Sequence, residues 1–263
     1  MSIDERWSPL RPDGAASVPA PAAYRAIQIL DALSAERGPM TVSELAMRIP
    51  LAKSSTSNLL TTLETTGMVR KLAHGWVLGY KALEIGQSVL ASSDLVSEFR
   101  RIVGTLPTLG NETVLLAILE DADVLYLARH DGNQRVRLAS DVGRRLPAPV
   151  TSLGKAMLAG LPDPELEHLL ATIETLPMAT RRSHRTKAAL RKDLVAIRAR
   201  GYAIDDEENT IGVTCFGVAL PGAVPPTAVS TTFVTQRLTS SFGEAIVREL
   251  TALAERLAVL ARA

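Results

Sequence analysis

The chain has 263 residues, enough for one large domain or two ordinary ones, and with 46% apolar but only 4% aromatic residues its cores must be aliphatic. A formal charge of +1 excludes a polycation and requires any surface for polyanions to be local. The single cysteine, Cys215, excludes an intrachain disulfide, and His74, His130, His168 and His184 lack metal-ligand spacing, so no metal and no cofactor are expected.

The chain starts without the apolar core of a signal peptide, and no run is long enough to span a bilayer. The expectation is a soluble cytoplasmic protein with no membrane partner. Residues 1–21 carry Pro9, Pro12, Pro19 and Pro21 among Gly, Ser and charges and read as a disordered arm. From Ala22 the texture changes. Ala23, Ala26, Ile27, Leu30 and Leu33 recur at helical spacing until Gly38-Pro39. Thr41 and Glu44 form a capping box ahead of Val42, Leu45, Ala46 and Ile49, and Pro50 stops that short helix. A third helix starts near Ala52, buries Thr56, Leu59, Leu60 and Leu63, and ends at Gly67. Met68–Lys71 and Trp76–Leu78 then read as two strands around a turn at His74-Gly75. Three helices and a ribbon within residues 22–79 predict a winged helix-turn-helix, with Trp76 packing the ribbon onto the helices.

Residues 80–93 read as a linker helix followed by a boundary near Ser92-Ser93-Asp94, and residues 94–263 as a second domain. There, Thr113–Leu119 and Val124–Ala128 pattern as a strand pair, and Val136–Ala139 as a third short strand. Leu153–Leu161, Pro164–Ala171, Lys187–Arg200 and Glu244–Arg262 pattern as helices, and Val213–Leu220 and Ala228–Val234 as further strands. The fold class is therefore two-domain α+β, with the second domain an antiparallel sheet flanked by helices.

The third helix invites a geometric test. At about 100° per residue, Ser54, Asn58, Thr61 and Thr65 lie opposite its apolar stripe, with Ser57 beside them and Lys53 at the start. An ordinary exposed face carries Glu, Lys and Arg; short hydroxyls and an amide suit a helix lying in the major groove of double-stranded DNA. Between Gly38 and Lys81, five bases (Arg48, Lys53, Arg70, Lys71 and Lys81) stand against two acids (Glu44 and Glu64). Arg70 and Lys71 sit on the ribbon, where phosphate contacts belong. One such unit offers few of them, so useful affinity requires a dimer.

Three segments of the second domain stand out. Pro147–Ser152 reads as a rigid extended stretch opening into a helix, whose free N–H groups could hold a carboxylate; equally, Thr151 or Ser152 could simply cap that helix. Asp205, Asp206, Glu207 and Glu208 form an acidic run after Tyr202-Ala203-Ile204, read as a solvated loop or a helix N-cap cluster, with a metal site the minor alternative for want of supporting histidines. Cys215 and Ser230-Thr231-Thr232 place small polar groups inside apolar strands.

Several motifs taken together resemble the IclR family of bacterial transcriptional regulators. They are Val42–Ala46, Lys53-Ser54-Ser55, Leu59–Glu64, Trp76–Gly79, Val142–Pro147, Ser152–Ala156 and Ile197–Asn209, spread over residues 22–262. The resemblance implies a regulator whose operator affinity is set by a small-molecule effector, probed by a GAF-like C-terminal domain. It implies DNA contacts from Lys53, Ser54, Ser55, Ser57, Asn58, Thr61, Arg70 and Lys71. It also implies an effector pocket where Ser152 and Leu153 give backbone N–H groups to a carboxylate. Asp205, Cys215, Ser230 and Thr232 would line it, with apolar walls from Leu146, Met157 and Val213. Homodimers or homotetramers follow from the same resemblance. This chain departs from the family pattern at Asn58 (commonly Arg), Pro50 (a turn Gly), Pro149-Val150 (His-Ala) and Leu153 (a small residue).

Two other classes compete. A winged helix can serve as a protein-interaction module beside a ligand-binding domain, which the low net charge permits. A small-molecule hydrolase is the weaker rival, because no Gly-x-Ser-x-Gly elbow or phosphate loop accompanies Ser152 and Gly154-Lys155. The reading is a regulator, not an enzyme.

Overall fold

The computed structural model describes residues 18–36, 38–133 and 141–262, so most of the expected arm and the expected strand at residues 136–139 lie outside the described residues. The chain divides into two compact units between Ser92 and Ser93.

The N-terminal unit contains α1 (Pro21–Ala35), α2 (Val42–Arg48), α3 (Lys53–Thr65), β1 (Val69–Leu72), β2 (Gly75–Leu78) and α4 (Tyr80–Ala91). Pro21, expected in the arm, instead opens α1, where its missing N–H is harmless and its fixed φ is already helical. The capping box forms as the sequence predicts. Thr41 Oγ1 accepts from the Glu44 N–H at 3.3 Å, and Glu44 Oε2 accepts from the Thr41 N–H at 2.7 Å. Ile29, Leu33, Leu45, Leu60 and Trp76 form the aliphatic core with a single indole at its edge. Trp76 also exchanges two backbone hydrogen bonds with Met40, at 2.9 and 2.7 Å, which ties the β1–β2 hairpin to the α1–α2 connection. α4 buries no residue at all.

The C-terminal unit runs α5 (Asp94–Val103), β3 (Thr113–Glu120), β4 (Asp123–His130), β5 (Arg145–Pro147), α6 (Ser152–Gly160), α7 (Asp163–Thr172), α8 (Lys187–Arg200), β6 (Ala203–Asp206), β7 (Val213–Ala219), β8 (Thr227–Val234) and α9 (Ser240–Ala258). Its strands form one antiparallel sheet in the order β5-β4-β3-β8-β7-β6. α5 and α9 cover one face, where Phe216 and Phe233 meet Phe242 of α9. α6 covers the other, backed by α8, and the main core of Leu115, Val124, Leu153, Met157, Leu170 and Leu194 fills that side.

Sequence patterning passed over α5, although Val96, Phe99, Ile102 and Val103 are buried at helical spacing and Ser93 caps it. The stretch from Pro147 to Ser152 is not extended throughout: Ala148–Val150 make one 3-10 turn between β5 and α6. Two prolines there restrict φ to values that suit such a turn as well as an extended chain.

Candidate functional site

Two surfaces carry the residues singled out from the sequence. The first is α3. Thr56, Leu60 and Leu63 anchor it in the core, and Lys53, Ser54, Ser57, Asn58, Thr61 and Thr65 are exposed on its outer side. Ser55 is half-buried on the flank, so it approaches a ligand of this face only from the edge. Several hydroxyls are already committed. Thr61 Oγ1 donates to the Ser57 carbonyl at 3.0 Å, Thr62 Oγ1 to that of Asn58 at 3.0 Å, and Thr65 Oγ1 to that of Thr61 at 2.7 Å. The two ribbon bases are braced by aromatic rings. The Arg70 guanidinium lies 4.8 Å from the Tyr80 ring centroid, and Lys71 Nζ lies 5.8 Å from that of Trp76.

The second surface is the face of the large sheet beneath α6. Strand register decides which side chains share it, because directly opposed residues point the same way. Asp205 opposes Cys215, Cys215 opposes Thr232, Gly217 opposes Ser230, and Leu115 on β3 opposes Ser230 from the other side. Asp205, Cys215, Ser230 and Thr232 therefore form one polar group on one face, with Cys215 Sγ 3.3 Å from Thr232 Oγ1. Val213 shares that face by alternation along β7, at its far end. Two glycines bring the start of α6 onto it. A Cβ on Gly217 would come 2.6 Å from the Ser152 carbonyl, and one on Gly154 would come 2.2 Å from the Ala148 carbonyl oxygen. Ser152 and Leu153 are thus buried directly against β7, while Leu146 and Met157 join Leu153 in the apolar cluster around them.

The start of α6 is both capped and open. Thr151 Oγ1 accepts from the Gly154 N–H at 3.0 Å, so the capping role is real. The N–H groups of Ser152 and Leu153, which precede the first helical hydrogen bond from the Lys155 N–H to the Thr151 carbonyl, remain unsatisfied by it.

Electrostatics around this face favour neutral groups. Burial pushes Asp205 up to about 7, although the N–H groups of Asn209 and Glu208 bonded to its Oδ1 (3.2 and 2.7 Å) pull the other way. Burial, reinforced by Asp205, also raises the Cys215 thiol, and burial raises the Tyr126 hydroxyl. Tyr126 opposes Ala117 and Arg129 opposes Leu115, so both share this face. Neither was singled out from the sequence. Their signal was there, in an arginine and a tyrosine inside the otherwise apolar run Val124–Ala128 and its continuation. Arg129 already pairs with Asp131 at 2.7 Å and Asp141 at 3.4 Å.

The acidic run is not a solvated loop. Asp205 is buried on the sheet, Asp206 pairs with Arg182 at 2.6 Å, and Glu207 adopts a φ of 59° and accepts from the Gly212 N–H. Glu208 turns inward to Lys155, which is 0% exposed and reaches Glu208 Oε1 at 2.5 Å and Asp193 Oδ2 at 2.9 Å. Burial opposes ionisation of Asp193, yet its hydrogen bonds to His184 and Lys155 hold it well below the usual carboxylate range. Burial raises Glu208 against the pull of Lys155. His184, Asp193 and Glu208 lie close enough to ligate a cation, but the Lys155 ammonium already occupies that position between the carboxylates. Their joint effect is to pin α6, α8 and the turn after β6 together beside Asp205. Arg198 adds to this from α8 by donating to the Ala159 and Leu161 carbonyls at the end of α6, at 2.6 and 2.9 Å.

A winged helix-turn-helix followed by a helix-flanked antiparallel sheet with a polar, part-enclosed face defines a ligand-responsive DNA-binding protein. Comparison with known proteins makes the class specific. Residues 22–73 match the IclR helix-turn-helix domain and residues 87–259 the bacterial transcriptional regulator IclR C-terminal domain. The chain belongs to the IclR family of bacterial transcriptional regulators. It is 30% identical over 201 residues to the transcriptional repressor IclR of Escherichia coli K12, covering 74% of this chain and 73% of that protein. The crystal structure of the Thermotoga maritima IclR matches with a TM-score of 0.67 at 28% identity, covering 90% of this chain and 99% of that one. An IclR homolog from Microbacterium hydrocarbonoxydans, solved in complex with 4-hydroxybenzoate, shares the fold with a TM-score of 0.74 at 22% identity, covering 90% and 99%. These relatives are regulators rather than enzymes. Among the described residues, no helix is long and apolar enough to cross a membrane.

Proposed function

We propose that this regulator grips its operator with the α3 residues Lys53, Ser54, Ser57, Asn58 and Thr61, flanked by Ser55 and by Arg70 and Lys71 of the ribbon, and that the effector is a small carboxylate. The observation that carries the second half is the convergence of Asp205, Cys215, Ser230 and Thr232 with the buried start of α6 on one sheet face. There the Ser152 and Leu153 N–H groups and the helix dipole favour an anion. Burial holds Tyr126 and Cys215 neutral, and Asp205 is protonated below about pH 7, so these three groups set no negative charge against it there. Leu146, Leu153 and Met157 supply an apolar wall for the rest of the molecule. The Microbacterium relative carries 4-hydroxybenzoate, itself a carboxylate with an apolar ring.

The regulator works in the cytoplasm, on DNA, as a homodimer or homotetramer. α4 leaves Tyr80, Leu83, Ile85 and Val89 exposed, which suits a contact between subunits. Effector binding changes operator affinity only through its differential affinity for the arrangements that fit DNA and those that do not. The same sheet face is read as binding rather than catalytic, since burial, reinforced by the adjacent Asp205, holds the Cys215 thiol protonated.

Calorimetric titration of the full chain with 4-hydroxybenzoate and short aliphatic carboxylates, each beside its uncharged amide, tests the effector class. The expected result is a preference for one of the acids that weakens as pH rises through about 7, because an ionised Asp205 repels the bound anion. In Asp205→Asn that pH dependence disappears. Amides binding as tightly as acids at every pH would sink the carboxylate reading.

A further inference from the structure

We propose that Asn58 is the specificity-determining residue of α3 and that it reads an adenine in each operator half-site, an inference that rests on the DNA-binding reading above. It comes from an accounting of hydrogen-bonding groups on the outer side of α3. The threonines there have lost their donors to the helix itself: Thr61, Thr62 and Thr65 each donate to a carbonyl four residues earlier. Their oxygens retain only acceptor capacity, and their methyl groups are held in fixed positions. Ser54 and Ser57 each offer a single hydroxyl, a rotor that donates or accepts with equal ease and so discriminates poorly.

Asn58 differs from all of these. It is exposed at the middle of the face, with Ser54 one turn before it and Thr61 and Thr62 one turn after. Among the described residues its carboxamide is engaged by no neighbour; its backbone carbonyl accepts from Thr62. It therefore presents a donor and an acceptor side by side in one rigid plane. In the major groove, adenine alone offers the matching pair from one base, the N7 acceptor beside the N6 amino donor. Guanine shows two acceptors, N7 and O6, and would set one of them against the Asn58 carbonyl. Cytosine and thymine each offer one polar group.

The surroundings push the same way. α3 contains no arginine, and its only base is Lys53 at the first helical residue, so a guanidinium fork on two guanine acceptors is absent from this helix. The Thr61 and Thr62 methyl groups beside Asn58 suit the thymine methyl of an adjacent pair. An A·T-centred half-site follows from the residue chemistry.

Selection from a randomised duplex library with the full chain tests this, followed by competition binding with single-base changes in the selected site. Wild type is expected to enrich one adenine per half-site, and replacing it is expected to weaken binding by about 5- to 150-fold. Asn58→Ala should erase the preference at that position alone while leaving the salt dependence and thermal unfolding unchanged, since the residue is exposed and Ala is the better helix former. Asn58→Arg should move the preference to guanine. A wild-type motif that Asn58→Ala reproduces with its adenine frequencies intact would overturn the assignment and leave DNA binding standing. Failure of wild type to enrich any sequence, even at low salt, would overturn both.

Discussion

The outer side of α3 and the sheet face beneath α6 are built by opposite means. The α3 face is exposed, its residues lie within one helix, and its order comes from hydrogen bonds four residues apart. The α6 face is buried and draws on β3, β4, β6, β7, β8 and the start of α6, segments far apart in the chain. A face of the first kind can change its residues without disturbing the fold, and so can change its operator freely. One of the second kind ties recognition to stability, because nearly every group that could touch an effector also packs or closes something. Asp205 shows the bind most clearly: it faces the polar group around Cys215 while its Oδ1 closes the turn to Glu208 and Asn209.

The sharpest way to break this contrast is at Lys155. Removing its ammonium leaves the buried Glu208 without its cation beside the half-buried Asp193, and Lys155→Ala is expected to cost about 3–5 kcal/mol in chemical unfolding. Substitutions on α3 such as Ser54→Ala should stay within about 0.5 kcal/mol. A Lys155→Ala protein as stable as wild type would show that the two surfaces do not differ in this way.

A smaller loss is expected at Gly154. Its α-carbon sits against Ala148, so a methyl group must displace backbone, and Gly154→Ala should cost about 1–3 kcal/mol and weaken effector binding by shifting the start of α6. Unfolding and ligand titration on the same sample separate the two effects. Smaller again is the capping box. Thr41→Ala is expected to lower the stability of the N-terminal unit by about 0.5–2 kcal/mol with no effect on effector binding, measurable by unfolding followed at Trp76.

Asp205 gives a prediction in pH. Its folded-state pKa of about 7 lies above the ordinary 3.8, so the folded state holds the proton more tightly. The stability this confers is complete below about pH 4, declines as pH rises, and is gone above about 7. Asp205→Asn keeps the oxygen that closes the turn and removes the titration. Its melting temperature should therefore gain on wild type between pH 5 and pH 8, and a constant difference across that range would contradict the assigned environment.

How much of this was legible in the sequence follows the same division. The capping box at Thr41, the boundaries of α8 at Lys187 and Gly201, and the outward set on α3 are local patterns, readable from periodicity and caps. α5 was readable too, and was missed only because its short apolar stripe is set among charges. β5 was not, since three residues ending in proline carry no pattern of their own. On the C-terminal sheet, the family resemblance grouped Asp205, Cys215, Ser230 and Thr232, and the register explains why they share one face. Tyr126 and Arg129 stood out by residue type, but the register shift in β3–β4 between Leu116 and Ala117 decides which side Arg129 takes, and no local pattern announces it. The division of labour within the acidic run was equally hidden, because it depends on where Lys155 and Arg182 arrive from elsewhere in the chain.

The most direct test of the central claim is binding of the full chain to the DNA upstream of its own gene, across a salt series, beside a scrambled duplex of equal length. Selective binding is predicted, with the logarithm of the affinity falling linearly as the logarithm of salt rises, and with a shallower slope in Lys53→Ala. Indifference to both duplexes even at low salt would contradict the account and point to a winged helix that docks on protein instead.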